Sequence, residues 1–210
     1  MTYRDSHGRT LQDYPRPSVA VDTAVLSVLP DGRLAVLLAN DGDDARLPGT
    51  FVHPGETLAR AALRALRDKT GVDGREPRQL HVFDAPDRDP RGWVLSVAHL
   101  DAVPYRALDF DAGRAELRPV DEVRGLLYGH DEIVRMAVER LRDDYAASPD
   151  PAQLMPGTFT LRSLQNLHES VLGIDLPRDT FRRTMEPQLS TTGGIERGGV
   201  GKPARTFRTR

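Results

Sequence analysis

The 210-residue sequence predicts an α+β fold in two parts, on three observations. Apolar, β-branched runs bounded by turn residues alternate with two amphipathic helical patterns through residues 18–148. A Pro- and Ser-containing break follows at 146–151. Beyond it, residues 154–210 hold two short helical patterns and a glycine-rich basic stretch, enough for a small appended unit.

Each element has a local reason. Residues 1–17 are polar, carry Pro15 and Pro17, and read as a loose arm. Residues 19–29 are apolar and stop at Pro30-Asp31-Gly32, a turn signal, and 33–39 resume as a strand, so the pair reads as a hairpin. Residues 58–69, rich in Ala, Leu and Arg, read as a helix with Thr57 as N-cap and Gly71 as stop. Residues 80–83 and 94–103 read as strands joined by the loop 87–92, and 117–120 as a further short strand. Residues 131–145 are helical, with Ile133, Val134, Ala137, Val138 and Leu141 on one side.

After the break, 161–172 is a helix with Leu161, Leu164, Leu167, Val171 and Leu172 as its stripe, ended by Gly173. Pro177 suits a helix start, where its missing N–H does no harm, and 178–186 continue to Pro187. Five glycines between 193 and 201 then precede 204–208, an alternating strand. Two short helices followed by a glycine-rich basic hairpin form a winged helix-turn-helix layout.

Composition bounds the function. With 29% charged and 39% hydrophobic residues the chain reads as soluble and globular. No run approaches the roughly 18 apolar residues of a membrane span, and the polar N-terminus is no signal peptide. The absence of cysteine excludes disulfides, thiolate zinc sites and cysteine nucleophiles, and a cytoplasmic location is the default. The net charge of −2 hides an asymmetry: residues 154–210 hold nine Lys/Arg against five Asp/Glu, a net of +4, which leaves −6 for the rest. An acidic body with a basic end points to nucleic acid at the C-terminus.

The segment 47–72 reads LPGTFVHPGETLARAALRALRDKTGV. It resembles the Nudix box, a glycine, then a glutamate, then an Arg-Glu-aliphatic-x-Glu-Glu-x-Gly-aliphatic helix. Glu56, Arg64, Leu66, Gly71 and Val72 fall on that pattern. The leading glycine is Thr50, with Gly49 just before it, and the three helix carboxylates are Ala65, Asp68 and Lys69. In Nudix hydrolases those carboxylates hold the divalent ions that neutralise a diphosphate while water attacks it. Mg²⁺ needs oxygen ligands. Lys69 instead puts a cation where a second cation would sit, a repulsion of roughly 1 to 4 kcal/mol at about 4 Å for effective dielectrics from about 80 down to 20. The expectation is therefore binding without turnover, with no catalytic residue, no metal and no required cofactor.

The C-terminal stretch GTFTLRSLQNLHESVLGIDLPRDTFRRTMEP, with GGVGKPARTFR after it, resembles the winged helix of the Nudix-related regulators of NAD metabolism, the NrtR family. So does the order of the two parts. The resemblance covers about residues 14–210 and implies a Nudix-like α/β/α sandwich with a mixed sheet over 18–148, followed by a winged helix-turn-helix over 154–210. It further implies a homodimeric repressor that binds an inverted-repeat DNA operator and is released by ADP-ribose or a related nucleotide or sugar metabolite. One departure leaves the effector's identity open. Ala45-Arg46 stands where relatives often have Trp-Ala, so an aromatic that could stack on a base is absent, and the loop 40–44 before it is short.

The candidate ligand residues are Arg46, Phe51, Glu56, Arg64, Arg67, Asp68 and Lys69. Glu56 and Arg64 occupy the box's structural ion pair and serve the scaffold at least as readily as the ligand. Helix periodicity cannot turn Arg67 and Lys69 inward together, and Phe51 suits the core as well as a stacking face. Candidate DNA contacts are Arg178, Thr180, Arg182, Arg183 and Thr184 on the second helix of the helix-turn-helix, and Arg197, Lys202 and Arg205 on the wing. Phe181 and Met185 suit the small core, and Trp93 the core or a dimer interface. The competing reading is a Nudix pyrophosphatase whose weak metal site draws on Glu56, Asp68 and Glu116 or Asp121, with the C-terminus as an accessory domain.

Overall fold

A computed structural model describes residues 3–42, 44–196 and 203–210. The N-terminal part is built on a seven-stranded mixed sheet. Strand β1 (Ser18–Val28) is central, running parallel to β6 (Val94–Ala102) and antiparallel to β2 (Leu34–Asp41) and β4 (Gly49–Phe51). Short β3 (Asp44–Arg46) and β7 (Ala115–Pro119) pair with β2, and β5 (Arg78–Phe83) forms the edge beside β6.

The near-continuous apolar run of β1 has a cause: both of its faces are covered. Val21 and Val25 pack towards Ala61, Ala62 and Leu66 of α1 (Leu58–Thr70). The alternate residues Ala24 and Leu26 pack towards Ile133, Val134, Ala137 and Leu141 of α2 (His130–Ala147). The result is the α/β/α sandwich with mixed sheet that the family resemblance implies. Thr57 caps α1 by accepting the Arg60 N–H at 3.3 Å, and Gly71 ends it in the left-handed region, φ 80°, where glycine carries no steric penalty. Strands β3 and β4 are too short to show a period, and so escape sequence reading.

The C-terminal part has β8 (Phe159–Thr160), α3 (Leu161–Leu172), α4 (Arg178–Met185), β9 (Leu189–Glu196) and β10 (Ala204–Thr209), with the sheet order β8-β10-β9. Its core is Phe159, Leu164, Phe181, Met185, Leu189 and Phe207. This is a winged helix, and Arg197 and Lys202 of its wing lie outside the described residues.

Three expectations need correction. The stretch 146–151 is no loose linker: α2 runs to Ala147, and Asp150 is buried. Its carboxylate accepts the Tyr145 hydroxyl at 2.6 Å and the N–H groups of Leu154 and Met155 at 2.9 Å each. The prolines and serine there end a helix and shape a tight clamp. The arm is partly organised too, with a 3₁₀ turn at Leu11–Asp13 and Asp5 accepting the N–H groups of His7 and Arg9. Trp93 is 48% exposed and so is not core. Among the described residues no helix is long and apolar enough to cross a membrane.

Candidate effector pocket and nucleic-acid interface

One cavity of about 160 Å³ gathers residues from both ends of the box and from β1, the β5–β6 loop and the start of α2 that no motif marked. Strand β1 contributes Asp22, β3 Arg46, β4 Gly49 and Phe51, and α1 Lys69. The β5–β6 loop adds Arg88, Asp89 and Arg91, the turn before α2 adds Tyr128, and α2 itself adds His130. Cations outnumber carboxylates in this lining.

At its floor lies Asp22, a carboxylate in an otherwise apolar, doubly covered strand. His130 Nε2 stands 3.2 Å from Asp22 Oδ1, and the Ser96 hydroxyl donates to Oδ2. His130 Nδ1 accepts the Leu47 N–H at 3.0 Å, which fixes the hydrogen on Nε2, facing the carboxylate. Burial pushes the Asp22 pKa up, but the hydrogen bonds from His130 and Ser96 and the Arg88 charge outweigh burial, so the net shift is downward. A β-carbon at position 49 would lie 1.9 Å from Asp22 Oδ1 and 2.8 Å from the Val21 carbonyl oxygen. Gly49 is needed so that β4 can close over this carboxylate.

Asp89 is buried and held below the usual carboxylate range by Arg91, whose Nε and Nη2 donate to it at 2.9 and 2.7 Å. The Arg91 guanidinium carbon lies 4.0 Å from the Tyr128 ring centroid and 5.1 Å from that of Phe51. Arg88 donates to the Tyr128 carbonyl at 3.1 Å. Tyr128 itself takes left-handed backbone, φ 60° and ψ 27°.

Of the seven candidate ligand residues, the cavity brings together Arg46, Phe51 and Lys69. Phe51 is 38% exposed, so the core reading fails for it. The other four do not line the cavity. Arg64 donates to both Glu56 oxygens at 2.9 and 2.8 Å and reaches Thr50 Oγ1 and the Phe51 carbonyl. This holds the Glu56 pKa at about 2 and ties the loop to α1. Arg67 and Asp68 pair with each other at 3.3 Å on the exposed side of the helix, and Ala65 is buried in the sandwich.

The carboxylates considered for a weak metal site are not gathered at the cavity. Glu56 is committed to Arg64, Asp68 faces outward, Glu116 pairs with Arg118, and neither Glu116 nor Asp121 lines the cavity. The passed-over residues left signals in the sequence: an aspartate inside an apolar strand, two arginines in a charged loop, and a Tyr-Gly-His entry to a helix.

On α4, Phe181 and Met185 are buried, and Arg178, Thr180, Arg182, Arg183 and Thr184 are exposed together on the outer side. Arg182 Nε donates to Glu186 at 2.7 Å, while no ion pair forms at Arg178 or Arg183 among the described residues. Arg205 is exposed on β10, opposite Ile195. Exposed cations on a second helix packed across a first, with a hairpin beside them, form a surface suited to a DNA groove.

Two family models match this chain: the NUDIX domain over residues 20–146, and the NrtR DNA-binding winged helix domain over residues 151–209. The ADPR responsive transcriptional repressor NtrR of Acinetobacter baylyi is 32% identical over 185 residues, 82% of this chain and 74% of that protein. The chain belongs to the NrtR family. A second relative, the ADP-ribose pyrophosphatase of Methanocaldococcus jannaschii, is 32% identical over 129 residues, 58% of this chain and 73% of that enzyme. Among solved structures, Shewanella oneidensis NrtR complexed with a 27mer DNA is 28% identical and superposes with a TM-score of 0.73, covering 91% of this chain and 93% of that one. The match to this NrtR structure spans both parts of the chain.

Proposed function

We propose that this NrtR-family protein is a DNA-binding repressor whose Nudix domain senses ADP-ribose or a related nucleotide and does not hydrolyse it. One observation carries the reading: the box has lost two of its three helix carboxylates, at a cavity that instead presents Lys69, Arg46 and Arg88. Such a lining can neutralise a diphosphate without metal. A lysine ammonium and arginine guanidinia meet phosphate oxygens directly through charge-assisted hydrogen bonds.

The relatives' names support the ligand. A repressor called ADPR responsive and an ADP-ribose pyrophosphatase are each 32% identical to this chain. A shared ligand with divergent chemistry fits both. Specific DNA binding follows from α4 and the wing acting as pairs. Eight residues of α4 read few base pairs, so a homodimer facing an inverted repeat supplies the rest, with protein two-fold symmetry mapped onto the palindrome. Effector binding releases the DNA, and a regulator of this type works in the cytoplasm beside its operator.

The test is a mobility-shift titration on the DNA upstream of the protein's own gene and its neighbours, with ADP-ribose, NAD and sugar nucleotides as competitors. The expected result is a shifted band that ADP-ribose or a close analogue abolishes, with a symmetric footprint. Absence of any shift, or ADP-ribose hydrolysis at ordinary enzymatic rates, would overturn the reading in favour of the pyrophosphatase.

A further inference from the structure

Arg91 has partners that diphosphate recognition does not need. Its Nε, Nη2 and backbone N–H all donate to Asp89, at 2.9, 2.7 and 2.9 Å. Its guanidinium then lies over two aromatic rings, those of Tyr128 and Phe51. These rings come from the turn before α2 and from β4, and both line the cavity. Tyr128 reaches its place through backbone that non-glycine residues rarely adopt, φ 60°. Strain of this kind persists where the surroundings over-determine it, and it clusters at ligand clamps.

A flat guanidinium and a flat heteroaromatic base compete for the same surface, since both stack on aromatic faces. We propose that Phe51 and Tyr128 form a subsite for the planar heteroaromatic ring of a nucleotide, and that Arg91 is its resident occupant in the free protein, displaced when the ring enters. The proposal rests on the cavity's reading as a diphosphate site. Size argues for it. About 160 Å³ holds a diphosphate, whereas sites that enclose small organic ligands run to roughly 300–1,000 Å³. The additional room for a base lies where the Arg91 side chain is. That side chain is 47% exposed and can swing outward, and Asp89, buried at 1%, keeps the field of Arg88 when it does. The subsite also supplies the stacking surface that Ala45 cannot.

Calorimetric titration of the full chain with inorganic pyrophosphate and with ADP isolates the ring's contribution as the ratio of the two Kd values. Stacking a base on an aromatic side chain is a substantial effect, about tenfold or more in affinity. Phe51→Leu and Tyr128→Leu should each lower the ratio by about that factor while leaving pyrophosphate affinity within about twofold, which also reports an intact fold. Tyr128→Phe should keep the ratio, and Arg91→Ala should raise it severalfold. Trp93, exposed and two residues from Arg91, should change its fluorescence with ADP and not with pyrophosphate. An unchanged ratio in both leucine variants, or a lowered one in Arg91→Ala, overturns the subsite. If the unmodified protein binds neither probe, the diphosphate reading falls with it. If pyrophosphate binds and the ring variants behave like wild type, only the subsite falls.

Discussion

His130 Nε2 lies 3.2 Å from Asp22 Oδ1 while Nδ1 of the same ring accepts the Leu47 N–H. One imidazole thus joins the first residue of α2, the central strand and the entry to the box. Anything that moves Leu47 or Asp22 is felt at the root of α2. Tyr145 lies in the last turn of that helix, and His168 of α3 stacks edge-on between Tyr145 and Phe181 of α4.

Because the Asp22 pKa is lowered on folding, its ionised form contributes stability. That contribution is full above the unfolded aspartate value of about 3.9 and is lost as pH falls through the folded value. Asp22→Asn should therefore cost about 1–3 kcal/mol at pH 7, with the gap to wild type narrowing below about pH 4. Urea unfolding at both pH values measures it. An equal gap at the two would show that the loss is one of packing and not of charge.

Lys69 replaces a metal-binding carboxylate at the cavity, so ADP-ribose binding should be indifferent to EDTA. Turnover with Mg²⁺ or Mn²⁺ should stay below about 0.1 per second, against a median near 10 for enzymes. Lys69→Glu reverses a charge at a wet site, where one such interaction is worth up to about 1 kcal/mol. It should weaken the ligand roughly tenfold. Calorimetry with and without chelator tests both statements, and a strong Mg²⁺ requirement would refute the metal-free account. Restoring a glutamate at 65 is a poor route to activity, because Ala65 is buried in the sandwich and a carboxylate there carries a desolvation cost.

The clamp between the two parts makes a further prediction. Tyr145 is fully buried, and its hydroxyl donates to Asp150, a residue that also holds the Leu154 and Met155 N–H groups. Tyr145→Phe removes one charge-assisted bond and should cost roughly 1.5–3 kcal/mol, a fall in Tm of several degrees at this chain length. Differential scanning calorimetry reads it. A change under about 1 °C would mean that the clamp carries little.

The helices, the main strands and the winged-helix order were legible because each has a period, a cap or a glycine stop, as with Thr57 and Gly71 around α1. The pocket was legible only in part. Arg46 and Lys69 were visible because the box fixed their positions, and Gly49 because the motif keeps it. Asp22, Arg88, Arg91, Tyr128 and His130 converge through the parallel β1–β6 pairing and the packing of α2, which no local pattern encodes. The clamp at Asp150 read as a linker for the same reason: prolines and aspartate look alike in a loose tether and in a tight turn.

The last prediction concerns Arg182 and its partner. Glu186 holds the Arg182 guanidinium at 2.7 Å on the exposed face of α4, and it also sets a negative charge beside the surface proposed to meet phosphates. Arg183, one residue on, has no such partner among the described residues. Arg183→Ala should therefore weaken DNA binding with a loss of about one unit of salt slope if it touches phosphate. If it reads a base edge instead, it should relax operator specificity by roughly 1–3 kcal/mol. Arg182→Ala should be more damaging, because it deletes a cation and leaves Glu186 uncompensated. Glu186→Gln should do the opposite, tightening binding to operator and scrambled DNA alike by freeing Arg182 and removing a like charge. Lys202→Ala should lower affinity for all sequences with a shallower salt slope. Salt titrations of each variant on operator and scrambled duplexes decide the matter. If Glu186→Gln weakens binding, the carboxylate serves to orient Arg182 for a base, and the simple charge argument for α4 is wrong.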